Sequence, residues 1–154
     1  MKSVVKTISL QTKHDLEIIN ITDTVKEAVA TAELTNGTVH IMTKHTTSGI
    51  TVNEGLPDIE KDLLEMLERL APRVKDYHHA RFLHSDGQMA VNGYSHLRSA
   101  LIGKDTFFPL HDGEMVIGSR QTIYFVEMDG PLLREFVVHI LGEKEGDHAG
   151  RNCW

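Results

Sequence analysis

Residues 121–128, Gln-Thr-Ile-Tyr-Phe-Val-Glu-Met, limit the fold more than any other stretch. On an extended chain Ile123 and Phe125 fall on one face, and Tyr124, Val126 and Met128 on the other. A strand apolar on both faces must be covered on both, so it belongs at the centre of a sheet. Shorter strand signals surround it. Val4 to Leu10 alternates (Val5, Thr7 and Ser9 against Val4, Lys6, Ile8 and Leu10), and Asp15 to Ile21 follows a polar turn at Gln11 to His14. These two are expected to pair as a hairpin. Thr38 to Thr43, Ile50 to Asn53, Thr106 to Leu110, Glu114 to Gly118 and Phe136 to Leu141 complete the β-type runs, with Asp112-Gly113 as a hairpin signal.

Three short helices interrupt them. Thr22-Asp23 offers an N-cap ahead of the stripe Val25, Ala28, Val29 and Ala32, which Asn36-Gly37 would close. Pro57 stands where a helical first turn accepts it, before Ile59, Leu63, Leu64, Met66, Leu67 and Leu70 at helical spacing. Ser95 offers a cap for a third helix, with Leu97, Ala100 and Leu101 on one side and Gly103 after its end. The expectation is an α+β fold: a mixed, mostly antiparallel sheet with three short helices in a single compact domain over residues 1–141. A polar tail follows over 142–154. The 154-residue length suits one domain.

Composition excludes several classes. The formal charge is -6 and no basic stripe appears, which argues against nucleic-acid binding. No apolar run approaches a membrane span, and the N-terminus lacks a signal-peptide core, so a cytoplasmic protein is expected. Cys153 is the single cysteine and cannot form an internal disulfide. The chain has no phosphate-binding G-x-x-x-x-G-K-[ST], no G-x-G-x-x-G after a strand, no H-E-x-x-H, no C-x-x-C and no G-x-S-x-G.

What remains is rich in histidine, with ten in all. The run His45-Thr-Thr-Ser-Gly-Ile-Thr-Val-Asn-Glu54 sets an imidazole and a carboxylate at the two ends of a polar island between strands. Such a pair serves a divalent metal or general acid-base chemistry, though a packed, hydrogen-bonded imidazole is an equally ordinary reading. Tyr77-His78-His79 and His84 lie in the long irregular stretch 77–92, which also holds Asp86-Gly87. Adjacent histidines on extended backbone point apart, so at most one of His78 and His79 joins His45. His96 falls near a helix N-terminus, a place that suits a neutral imidazole or a bound anion, or simply a surface cap. Arg120 and Arg134 are phosphate or carboxylate clamps, or merely solvated ends.

Taken together, His45 to Glu54, Asp58, Asp62, Tyr77-x-His79, Asn92-Gly-Tyr-Ser-His96-Leu97, Ala100-Leu-Ile-Gly103 and Gly113-x4-Gly118-x2-Gln121-x-Ile123 resemble the YjbQ-like family across nearly the whole chain. That family is described as secondary thiamine-phosphate synthase enzymes. The resemblance implies a homotrimer and a polar, ion-binding cluster corresponding to His45, Glu54, His79, His96 and Gln121. Two departures stand out. Arg120 replaces a frequent tryptophan, and Gly130-Pro-Leu-Leu-Arg134 replaces Gly-Pro-Arg. The function expected is a metal-assisted enzyme acting on a small phosphorylated molecule, with thiamine-phosphate synthase side activity. His45, Glu54 and His96 would be catalytic, and His45, His79 and His96 would hold a divalent ion, zinc or magnesium. Ser48, Asn92, Arg120, Gln121 and Arg134 would contact substrate. The rival expectation is a non-catalytic trimer that binds a metal or small ligand.

Overall fold

The computed structural model describes residues 1–79, 81–83 and 88–144, and for 81–83 and 88–90 the backbone alone. Ten strands and three helices appear among them. They run β1 (Lys2–Gln11), β2 (Glu17–Asn20), α1 (Thr22–Ala30), β3 (Asn36–Thr43), β4 (Ser48–Glu54), α2 (Pro57–Leu70), β5 (Arg81–Leu83) and β6 (Gln88–Ala90). Then come α3 (Gly93–Ile102), β7 (Asp105–His111), β8 (Glu114–Met115), β9 (Gln121–Glu127) and β10 (Leu133–Glu143). The fold is α+β, and every strand pairing is antiparallel.

β9 is central, as its two apolar faces require. It lies between β2 and β4 in a three-stranded sheet. Ile123 and Phe125 face a core shared with the five-stranded sheet β1-β10-β3-β7-β8, meeting Val39, Ile41, Phe108, Phe136 and Val138. Tyr124, Val126 and Met128 face the opposite way, against Leu67 of α2 and Ile102 of α3. The layer order is five-stranded sheet, three-stranded sheet, then α2 and α3, while α1 packs into the core between the two sheets through Val25, Ala28 and Val29. Each fully buried large side chain contributes about 1.5–3 kcal/mol of burial free energy.

Five expectations need correction. β1 and β2 do not form a hairpin: β1 pairs with β10 over ten residues and β2 with β9, so the Gln11–Leu16 turn carries the chain from one sheet to the other. Thr12 anchors that crossing, its N–H and hydroxyl both donating to Leu132 O. α1 stops at Ala30, and Gly37 is not its cap. Gly37 sits inside β3, where a Cβ would come within 2.0 Å of Leu141 O, so glycine permits the close approach of β10. Ser95 lies inside α3 rather than capping it, and its hydroxyl donates to Met128 O at 2.5 Å.

α3 also turns the other way round. Leu97 and Leu101 are 49% and 57% exposed, while Tyr94, Ser95, Arg98 and Ser99 are buried. Its polar face fits inward because it finds acceptors there. Arg98 Nε donates to Ala71 O at 2.9 Å, its guanidinium meets Glu68, and it lies 4.8 Å from the Tyr94 ring centre. β10 runs to Glu143, past the boundary expected at 141. His84, Asp86-Gly87, His148, Cys153 and residues 145–154 of the expected tail lie outside the described residues.

Candidate functional site

The polar island is split by its own strand. His45 precedes β4 and Glu54 ends it. The six-residue step from Ser48 to Glu54 spans about 20 Å of strand. Gln121 is the register partner of Glu54, and Glu127 the partner of Ser48. One end of the β4–β9 ladder therefore carries Glu54, Gln121 and Arg120, and the other carries His45, Ser48 and the Glu127–Asp129 segment. Within one chain Glu54 and Gln121 do not join His45. Arg120 Nη1 donates to Glu54 Oε1 at 2.9 Å, and Gln121 Oε1 accepts from Gly118 N at 2.8 Å. Both contacts are exposed.

The His45 end is built around a buried ion pair. Arg134 donates to both carboxylate oxygens of Glu127, from Nε at 2.7 Å and from Nη2 at 2.5 Å, and Nη2 also reaches Thr47 Oγ1. Thr12 Oγ1 and the N–H groups of Met128 and Asp129 add further donors to Glu127. Burial raises the pKa of this carboxyl most, but the Arg134 and backbone hydrogen bonds together outweigh it, and the net shift is downward. Arg134 is thus a framework cation. Its expected role as a clamp on substrate phosphate does not fit a guanidinium already held bidentate and 5% exposed.

His45 sits on this framework. Its Nε2 accepts the N–H of Glu135 at 2.9 Å, which requires an unprotonated nitrogen there and leaves Nδ1 as the second site. Its pKa is held below the ordinary histidine value, chiefly by burial and then by the Arg134 charge. Ser48 is fully buried, bonded through Oγ to Thr43 Oγ1 at 2.6 Å, and supports the loop rather than facing a ligand.

α3 brings the second histidine pair. His79 and His96 meet edge to face with ring centres 4.9 Å apart. The Cβ of His79 lies against Gly93, where any side chain would come within 3.3 Å of it and 2.8 Å of Tyr77 Cβ. His96 is also held below the ordinary value, first by burial, then by His79, with Asp129 opposing and Lys104 adding to the depression. Asn92, the residue capping α3, donates from Nδ2 to Asp129 Oδ2 at 2.6 Å, while its Oδ1 is buried without a partner among the described residues.

Two groups that sequence reasoning passed over connect the halves. Lys104 Nζ donates to His45 O at 3.3 Å, to Ser48 O at 3.4 Å and to Ser99 Oγ, and its pKa is lowered by burial. Asp129 reads in sequence as a turn residue and Lys104 as an ordinary surface lysine. The available signal was Glu127, a carboxylate inside an apolar strand, which demands a buried partner.

Chemically, this end offers two adjacent imidazoles, a carboxylate, an ammonium and the N-terminal turn of α3. Neutral imidazoles are metal ligands, so His79 and His96 fit two positions on a divalent ion. Among the described residues no three His, Cys, Asp or Glu side chains of one chain are grouped to hold a metal. A complete coordination shell here would draw on water, substrate or another chain. No helix among the described residues is long and apolar enough to cross a membrane.

Comparison with known proteins agrees with this architecture. Residues 6–143 match the family model described as UPF0047 protein YjbQ-like. A UPF0047 protein of Archaeoglobus fulgidus is 36% identical over 134 residues, covering 87% of this chain and 98% of that one. Bacillus subtilis YugU, also a UPF0047 protein, is 31% identical over 140 residues, covering 90% and 100%. A crystal structure of a YbjQ-like protein of unknown function from Sulfolobus solfataricus superposes with a TM-score of 0.84 at 29% identity, covering 92% of this chain and 99% of that one. An uncharacterised YjbQ/UPF0047 family protein from Clostridium acetobutylicum gives 0.77 at 35% identity, covering 88% and 99%. These names carry family and fold but no activity. The chain belongs to the YjbQ-like, or UPF0047, family.

Proposed function

We propose that the His45–His96 end is a cytoplasmic small-molecule site that takes a divalent ion together with a phosphorylated substrate. We further propose that a neighbouring copy in a homotrimer completes it with Glu54 and Gln121. The observation that carries this reading is the His79–His96 pair at the start of α3, with His96 held below the ordinary histidine value chiefly by burial. The separation along β4 supports the second part. Groups about 20 Å apart on one strand can share a site only across a contact between copies. The exposed Leu97–Leu101 ridge beside His96 gives such a contact an apolar surface.

In this reading a bound divalent ion would neutralise charge on a departing diphosphate. His79 and His96 would hold it, and Asp129 fixes Asn92 at the head of α3. The positive N-terminal end of the α3 dipole and Lys104 attract the phosphate. Glu54 from the neighbour supplies a carboxylate that balances the positive charge developing as the thiazole nitrogen bonds carbon and diphosphate departs. The weak reaction expected is thiamine-phosphate synthase chemistry, joining a pyrimidine diphosphate to a thiazole phosphate with release of pyrophosphate.

A specific observation favours binding without turnover as the second reading. His45 Nε2 and Arg134 are both engaged in framework hydrogen bonds and are not free to move protons or phosphate. Metal analysis of purified, untagged protein separates the readings from a purely structural role. The proposal expects close to one ion per subunit retained after exhaustive dialysis, which removes weakly held surface metal, and its loss in His96→Ala. Full retention in both His96→Ala and His79→Ala would overturn the site. Retention of the ion in Glu54→Gln with loss of product formation favours catalysis, and product formation by neither protein favours binding alone.

A further inference from the structure

The outward face of the five-stranded sheet carries a second pair of histidines that the site above does not use. Its register places Val5, His139, His40 and Phe107 in one row across β1, β10, β3 and β7. Residues paired directly across an antiparallel ladder point to the same face, with Cβ atoms about 4.5–5.5 Å apart. His40 and His139 are therefore side by side on the surface, neither buried. Val5 and Phe107 flank them, 63% and 73% exposed.

Among the described residues each ring is engaged through one nitrogen only. His40 Nε2 contacts Asp105 Oδ2 at 2.6 Å, on the β7 side, and His139 Nε2 contacts Ser3 Oγ at 2.9 Å, on the β1 side. Neither Nδ1 has a hydrogen-bond partner among the described residues. The arrangement of Asp105 with His40 is the carboxylate–histidine geometry that orients an imidazole for a metal bound at the other nitrogen. The two rings turn away from each other, towards β7 and β1, so chelation requires rotation about χ1 and χ2 that brings one nitrogen of each into the gap between the strands.

The geometry points to a two-histidine chelate for a borderline transition ion, zinc, copper or nickel, at His40 and His139, with Asp105 as the orienting carboxylate and water completing the shell. Imidazole suits these ions, whereas magnesium and calcium prefer oxygen. Two protein ligands suffice for such a surface chelate, so it does not depend on a three-ligand group. It is separate from the His79–His96 site, because it lies on the solvent side of the five-stranded sheet while that site lies at α3, beyond the three-stranded one.

Titration of untagged protein with zinc chloride, followed by calorimetry, tests this. A His79→Ala, His96→Ala background removes the other histidine pair. In that background one zinc per chain should still bind. Adding His139→Ala or His40→Ala should abolish that binding, while Asp105→Asn should weaken it about tenfold. A His14→Ala control, altering an exposed histidine elsewhere, should change nothing. Thermal melts without zinc report whether each variant is folded. Unchanged zinc binding in folded His40→Ala and His139→Ala proteins, or no binding in the background, would overturn the proposal.

Discussion

His45 and His96 are both held below the ordinary histidine value of 6.5, burial being the larger cause in each. A histidine depressed in this way binds a proton more readily unfolded than folded. Its stabilising contribution is complete above the unfolded value and is lost as pH falls below it. Denaturant midpoints should therefore decline between about pH 7.5 and pH 5.5, and His96→Asn should flatten that decline. A midpoint that rises towards pH 5.5 would contradict the assignment. The Glu127–Arg134 pair makes a sharper case. Arg134→Met strands a fully buried carboxylate and should cost about 3–5 kcal/mol of stability by denaturant unfolding. Adding Glu127→Gln should recover much of that loss, because the uncompensated charge is then gone. Equal stability of the single and double variants would show that the charge is not what the pair contributes.

At the scale of elements, β4 is pinned to α3 by a glycine. A Cβ on Gly49 would come within 2.5 Å of Ile102 Cγ2 and 2.8 Å of Gly103 O. Gly49→Ala should destabilise by about 1–3 kcal/mol through overpacking against backbone, read as a lower thermal midpoint. The Asp112-Gly113 turn formed as its dipeptide indicates, with both residues at positive φ. β9 is central for the same legible reason, because two apolar faces need two covers. Pairing partners were less legible. Nothing in residues 4–10 says that their partner is β10, more than 120 residues on, because a hairpin and a long-range ladder leave the same alternation. The face of α3 was misread because leucine spacing suggested burial, whereas Arg98, Ser95 and Ser99 had carbonyl and carboxylate acceptors waiting inside. Of the candidate site, the histidines at 79 and 96 come together. Lys104, Asp129 and Glu127 were hidden because their role depends on contacts far apart in sequence.

At the scale of the whole molecule, one chain carries two polar ends on the same ladder. His45, His79 and His96 stand at one, Glu54 and Gln121 at the other, with Leu56 and Leu97 exposed near them at 46% and 49%. A head-to-tail contact repeated three times closes into a ring and uses different surfaces on each side, so both ends meet without symmetry in the contact itself. Such an assembly should run as three chains in sedimentation, and Leu97→Glu together with Leu101→Glu should shift it towards single chains. Cross-copy disulfide trapping tests the central claim most directly. In a Cys153→Ser background, Glu54→Cys and His96→Cys are combined in one chain. Within a chain the two positions are separated by far more than the roughly 7 Å that a disulfide tolerates between Cα atoms. The account predicts bands of two and three linked chains on a non-reducing gel after mild oxidation, with neither single variant giving the three-chain band. Chains that stay unlinked, while both thiols remain accessible to alkylation, would contradict it.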